Sequence, residues 1–381
     1  MTGFNRRRFA FSALAAPAAL ALPRTGSLWA SEHTSFTVRD PLAGYFDFED
    51  RRRILRSTAD PVLLELRASM MRPPLCQDVL EIPIQDQAIT MPSFYQNNAG
   101  WRAAVKPFSA IEHAVSKLAG ANLVAHNRGF VDCLVTTLVE WARRDGLANF
   151  NHSPRRQQGW FQVESTLFSM ALALAAVRPD ILDRTEELEI IDGWMERVAT
   201  SHFAIPGSRG GTCCNNHFYR RALYATIIGV MVKNDDLFRG GVGAIYSALS
   251  GATSDGALPL EMERGPLAAH YQNFALMYLA MIAEIAERQG YPLWSLEIDG
   301  KSLHSLVAVN NRILADPNNV KDYAKTDEVS LRYRDDPQYF AWFEIYLSRF
   351  ENAEMEAWIA GRRPLYNRSL GGHLTAYFYN P

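Results

Sequence analysis

From about residue 110 onward, apolar side chains recur at three- and four-residue spacing through one stretch after another. That period predicts helices over 111–119, 130–143, 160–177, 188–203, 217–233, 237–251, 266–288, 302–314 and 339–350. Glycine, proline, asparagine and aspartate cluster between these stretches, at Arg178-Pro179-Asp180, Pro206-Gly207, Asn234-Asp235-Asp236 and Ser254-Asp255-Gly256. Strict alternation is nearly absent, and 79–84 is the one reasonable candidate strand. No strict repeat is visible, and no linker rich in proline, glycine or serine divides the body, so one domain is expected. Helix content alone leaves a bundle, a solenoid and an α/α toroid open. The stretch 87–106 breaks the pattern. It carries Pro92, Gly100 and the aromatics Phe94, Tyr95 and Trp101 without helical period, the profile of a functional loop over a cleft.

The N-terminus departs from the pattern for another reason. Asn5-Arg6-Arg7-Arg8-Phe9 places a twin arginine before an Ala/Leu-rich run over 10–22, too short to span a bilayer as a mature helix. Ala19-Leu20-Ala21 and Leu28-Trp29-Ala30 offer small-residue cleavage signals. Residues 1–30 therefore read as a cleaved export signal of the twin-arginine type, with 31–381 as the mature domain, periplasmic or secreted and without a membrane anchor. A basic N-terminal helix that stays attached is the alternative. Cleavage after Ala21 removes three arginines and takes the formal charge from −2 to −5.

Composition adds mainly exclusions. At 48% hydrophobic and 21% charged residues the chain has an ordinary globular mix, and a formal charge of −2 gives no electrostatic case for nucleic acid or anionic lipid. A polyanionic ligand would need a local group of arginines or lysines. Arg51-Arg52-Arg53 reads as a solvated face. Of the four cysteines, Cys133 sits in an apolar helical stretch and Cys213-Cys214 are adjacent, so a mostly reduced set is expected. Their spacing, and that of the histidines, suggests no metal site, and no cofactor is called for. His113, His126, His152, His202 and His373 read as structural.

Two constellations carry candidate chemistry. In Gly210-Gly211-Thr212-Cys213-Cys214-Asn215-Asn216-His217, an Asn pair and a histidine open an apolar helix; capping by either Asn is the simple explanation. In Asp255-Gly256-Ala257-Leu258-Pro259-Leu260-Glu261, followed by Arg264-Gly265-Pro266 and His270-Tyr271, Pro266 fits a first helical turn. Arg264 then lies in the preceding loop and Tyr271 about one turn inside. Core packing of Tyr271 and a surface role for Arg264 are the simple explanations here.

Together the two blocks, 54 residues apart from His217 to Tyr271, resemble the alginate lyase family. The C-terminal run from Arg363 to Gly372 is similar to that family's ending. The likeness covers roughly 90–375, and its specificity lies in these three blocks. Phe218-Tyr219-Arg220 departs from the Ser-Tyr-Trp often found after the histidine, and the Cys pair stands where an arginine is common.

The resemblance implies an all-α fold, an α/α toroid of about ten or more helices with a lid loop over the cleft. It implies depolymerisation of an acidic polyuronate such as alginate by β-elimination, with an anionic polysaccharide as partner. Asn216, His217 and Arg264 would neutralise the C5 carboxylate, and Tyr271 would act as acid and base, with Arg264 and His217 favouring its phenolate. Tyr95, Trp160, His270 and Arg368 become candidate sugar contacts, and Arg102 is a candidate for the family's upstream arginine. A glucuronan lyase with His217 as base and Tyr271 as acid fits as well. Outside lyases, a toroidal glycoside hydrolase using Glu261, Glu263 and Asp255, or a periplasmic polymer-binding protein, remains open.

Overall fold

Many of the helices open on a short polar side chain that accepts a first-turn N–H. Asp47, Asp60, Asn97, Asn127, Asn215, Asn234 and Asn352 all cap helices in this way. The structure is a computed structural model that describes residues 35–152, 157–207 and 212–381. The expected export signal at 1–30, and Gly210-Gly211, lie outside these.

The helices run α1 Phe48–Ser57, α2 Pro61–Met70, α3 Cys76–Leu80, α4 Asn98–Ala104, α5 Lys106–Ala125, α6 Arg128–Arg143, α7 Gln158–Val177, α8 Thr185–Phe203, α9 Asn216–Val232, α10 Asp235–Gly251, α11 Pro259–Met262, α12 Ala268–Arg288, α13 Leu303–Ala315, α14 Phe343–Leu347, α15 Ala353–Ile359 and α16 Leu374–Phe378. They form an α/α toroid. The inner helices α5, α7, α9 and α12 pack side by side in that order, and each is followed by an outer helix, α6, α8, α10 and α13. The layers follow from the sequence. In α7 every residue but Gln158 and Phe161 is buried, so it is enclosed on all sides, whereas α6 buries a stripe through Val131, Leu134, Val135, Leu138 and Val139. Where α10 lies on α9, a Cβ on Gly241 would fall 2.0 Å from the Thr226 hydroxyl, so glycine sets that close approach.

Several sequence expectations are corrected. Among the described residues no strand forms, and 79–84 lies at the end of α3 and the turn beyond it, where Val79 is buried and Cys76 is bonded to Cys133 on α6. Nor are the cysteines reduced: Cys213 and Cys214 also form a bridge. Residues 339–350 do not make one helix but a 3-10 turn, Pro337–Phe340, and the short α14. Arg51 and Arg52 are not solvated, each being only 4% exposed. Arg51 donates to the carbonyls of Ala376 and Tyr379, and Arg52 pairs with Asp180 at 2.7 Å. Only Arg53 faces water, paired with Asp50. The amphipathic period of α1 turns Arg51 and Arg52 inward, Arg51 to the C-terminal segment and Arg52 to Asp180, and leaves Arg53 and Arg56 outside.

Candidate active site

The site gathers at the N-terminal ends of the inner helices α9 and α12, under the lid segment that leads into α4. Asn215 is the N-cap of α9 and accepts from the His217 N–H at 3.1 Å, so capping does account for the first Asn. Asn216, the first helical residue, is buried and does something else. Its main-chain N–H and its Nδ2 both donate to Glu261 of α11, at 2.5 and 2.9 Å. Glu261 is 0% exposed. Burial pushes its carboxyl up to about 7, against the pull of the Asn216 donors and Arg264.

His217, one residue on, stacks on Phe161 of α7 with ring centroids 3.8 Å apart. Its Nδ1 lies 3.6 Å from the Glu164 carboxylate, an electrostatic rather than hydrogen-bonding separation. Arg220 and Arg221 each approach the same carboxylate at 3.3 Å. Burial lowers the His217 pKa; Glu164 opposes that shift and the two arginines reinforce it, so the ring is neutral near pH 7. Burial raises the Glu164 carboxyl, but Arg220, His217 and Arg221 together outweigh it and hold it below the ordinary range.

Tyr271 stands in the first turn of α12. Its hydroxyl is 2.7 Å from that of Tyr95 on the lid, and the Arg264 guanidinium lies 4.0 Å above its ring. Arg264 also donates to Tyr95 at 3.2 Å. Burial raises the Tyr271 pKa above the usual tyrosine range; Arg264 pulls it down, and the Tyr95 hydrogen bond adds to the rise. The expected phenolate is therefore not the resting state, because burial and Tyr95 outweigh the single nearby guanidinium. His270 sits behind, ringed by Tyr271, Phe274, Tyr333 and Tyr339, and burial lowers its pKa to about 4. It supports Tyr271 as a neutral aromatic.

The remaining candidates divide. Tyr95 is 61% exposed and joins the site directly. Arg368 is half-buried and donates to Glu112 at 2.7 Å, a carboxylate that also accepts from Gln162 and Thr166. Arg102 is exposed on α4, and no hydrogen bond or ion pair among the described residues joins it to the cluster. Trp160 is a correction. It is 0% exposed, stacked on His202 and covered by Arg221, so it packs the core and presents no face to a sugar. Of the carboxylates a hydrolase would need, Glu261 is buried against Asn216, Asp255 is bound to Arg312 and Tyr323, and Glu263 is exposed. These three do not form a facing pair.

Phe161, Glu164 and Arg220 were not foreseen. Glu164 had a signal: it is the sole charged residue between 158 and 177, and an isolated charge in an apolar helix calls for buried partners.

With this geometry in view, the alginate lyase family profile matches residues 91–320, more than half of the chain. An alginate lyase of Pseudomonas syringae pathovar tomato is 26% identical over 284 residues, 73% of each chain. A polysaccharide lyase of Stenotrophomonas maltophilia is 24% identical over 290 residues, 74% of this chain and 82% of that one. Among solved structures, alginate lyase A1-III from Sphingomonas species A1 aligns with a TM-score of 0.81 at 29% identity, covering 92% of this chain and 99% of that chain. A tyrosine-to-phenylalanine variant of alginate lyase A1-III, complexed with tetrasaccharide, aligns with a TM-score of 0.82 at 29% identity over 92% of this chain and 98% of that one.

Proposed function

The chain belongs to the alginate lyase family and is a polysaccharide lyase, and we propose that it depolymerises alginate, polymannuronate above all, by metal-independent β-elimination. The observation that carries this reading is Tyr271, its hydroxyl bonded to the lid hydroxyl of Tyr95 and its ring under the guanidinium of Arg264, at the same end of the inner layer as Asn216 and His217.

β-Elimination removes the C5 proton of a uronate, which is weakly acidic because its loss puts a second negative charge beside the carboxylate. Preorganised donors must take up that charge. Asn216 gives one Nδ2 hydrogen to Glu261 and keeps the other for the substrate carboxylate. Arg264 adds a charged donor. His217 supplies a third contact.

In β-linked mannuronate the C5 proton and the C4 oxygen lie on one face, so one residue serves both ends. Tyr271, as phenolate, takes the C5 proton; the C4–O bond breaks as the C4–C5 double bond forms, and the proton passes to the departing oxygen. Tyr95, in contact with Tyr271 and largely exposed, gives the phenolic proton a path to water before turnover. A second reading draws on the neutral state of His217. In guluronate the two groups lie on opposite faces, and His217 as base with Tyr271 as acid would suit that polymer. Glucuronate shares the C4 and C5 configuration of mannuronate, so glucuronan would be cut in the first way.

The test is ultraviolet absorbance of the unsaturated uronate end on polymannuronate, polyguluronate and glucuronan, wild type beside Tyr271→Phe. A rise on polymannuronate that falls by about 10² to 10⁴ in the variant supports the first reading. A rise confined to polyguluronate favours the second, a rise confined to glucuronan transfers the first to that polymer, and no rise on any polymer overturns both. We further place the enzyme in the periplasm or outside the cell, on the strength of the twin arginine and cleavage signals in 1–30; N-terminal sequencing of exported protein tests this.

A further inference from the structure

We propose that Glu261 is a positioning residue for the lyase reaction, its ionised carboxylate holding the Asn216 amide in the orientation that meets the substrate carboxylate. The inference rests on the reading above for the reaction itself, and on this structure's geometry for Glu261.

Both oxygens of Glu261 face N–H donors of one residue: one accepts from the Asn216 main chain at 2.5 Å, the other from its Nδ2 at 2.9 Å. Both donors point at oxygen, so neither oxygen has room for a proton without turning one contact from attraction to repulsion. The arrangement therefore fits the carboxylate and not the acid. It also fixes the Asn216 side chain by two bonds instead of one, at the first position of α9, where a negative charge meets the positive end of the helix. Asn216 is 1% exposed, so no water competes for these donors. With Nδ2 clamped on one side, its second hydrogen has a single direction left.

Protonation of Glu261 would weaken it as an acceptor, set an O–H against one of the two N–H donors and loosen the amide from that direction. The charged and titratable groups that bear on Glu261 are Tyr219 on α9, Arg264 in the turn after α11 and Tyr271 on α12. Of these only Arg264 is charged near neutrality, and its pull does not offset the burial that brings the carboxyl up to about 7. Ionisation of Glu261 thus falls where it sets an acid limit on turnover.

The test compares the pH dependence of kcat and KM on polymannuronate for wild type, Glu261→Gln and Glu261→Asp. In wild type, kcat/KM should drop about tenfold per pH unit below about 7. In Glu261→Gln, kcat should fall about 10- to 100-fold with KM within about threefold, and the break near 7 should vanish. Glu261→Asp keeps the charge and should keep a break with part of the rate. A purely structural role would lower the melting temperature of Glu261→Gln and leave its break where it was; that outcome, or a wild type without a break near 7, overturns the proposal. Should Glu261→Gln not fold, Asn216→Ala retains Glu261 and must lose the break from its residual turnover; a retained break again overturns it. Absence of any unsaturated product from wild type overturns the lyase reading itself, a result distinct from an unmoved break.

Discussion

The hydroxyl of Tyr95 lies 2.7 Å from that of Tyr271, across 176 residues of sequence. One belongs to an exposed lid, the other to the first turn of a core helix. The lid thus reaches the reacting group itself instead of only roofing the cleft. If Tyr95 serves binding and proton access, Tyr95→Phe should raise KM about three- to tenfold and leave kcat within about threefold. Because the Tyr95 bond contributes to the raised pKa of Tyr271, the alkaline rise in rate should also move to lower pH. A kcat loss as deep as that of Tyr271→Phe would show instead that Tyr95 takes part in the chemistry.

Arg264 acts through its shape as well as its charge, lying over the Tyr271 ring while donating to Tyr95. An ammonium cannot do both. Arg264→Lys is expected to lose about 10- to 100-fold in kcat/KM, a loss of about 1.4 to 2.8 kcal/mol in transition-state binding. Full activity in the lysine variant would reduce Arg264 to a point charge.

Acid should unfold this protein early. His202, His270 and His373 are held at about 4 by burial, against an unfolded value of 6.5. Between those values the unfolded chain binds protons that the folded chain refuses, so stability is full above about pH 6.5 and falls as pH drops toward 4. Glu164, whose folded pKa is depressed, adds stability that is present above its unfolded value of 4.5 and lost as pH falls through the folded one. Urea midpoints taken from about pH 7.5 to about pH 4 should hold down to about pH 6.5 and decline below it, and a flat profile would contradict the buried-histidine account.

The Cys76–Cys133 bridge closes a separation of 57 residues between α3 and α6. By the loop-entropy account, Cys76→Ser should cost about 4 kcal/mol, read from denaturant unfolding with and without a thiol reductant. Equal stability of variant and wild type under oxidising conditions would mean that the bridge contributes nothing there.

Period alone located the toroid's inner and outer helices, because each must bury a continuous stripe, and α7 buries its whole circumference. The helices α1 to α4 did not announce themselves; they are short, and α1 carries three consecutive arginines that read as solvent-facing until the partners of Arg51 and Arg52 are known. Asn216, His217, Arg264 and Tyr271 were legible through motif resemblance, and the structure brings each to one end of the inner layer. What the sequence could not convey was pairing at a distance. Nothing local joins Glu261 to Asn216, 45 residues away, or tells that Trp160 points into the core while Tyr95 points at Tyr271.

Arg51 on α1 holds the carbonyl of Ala376, made 325 residues later, and that of Tyr379. During synthesis the chain emerges N-terminus first, so this guanidinium waits for its acceptors until nearly everything else has been built. The result is a clasp between the earliest described helix and the latest residues. Loss of the last residues would open this clasp and leave an unmatched charge where a buried one belongs.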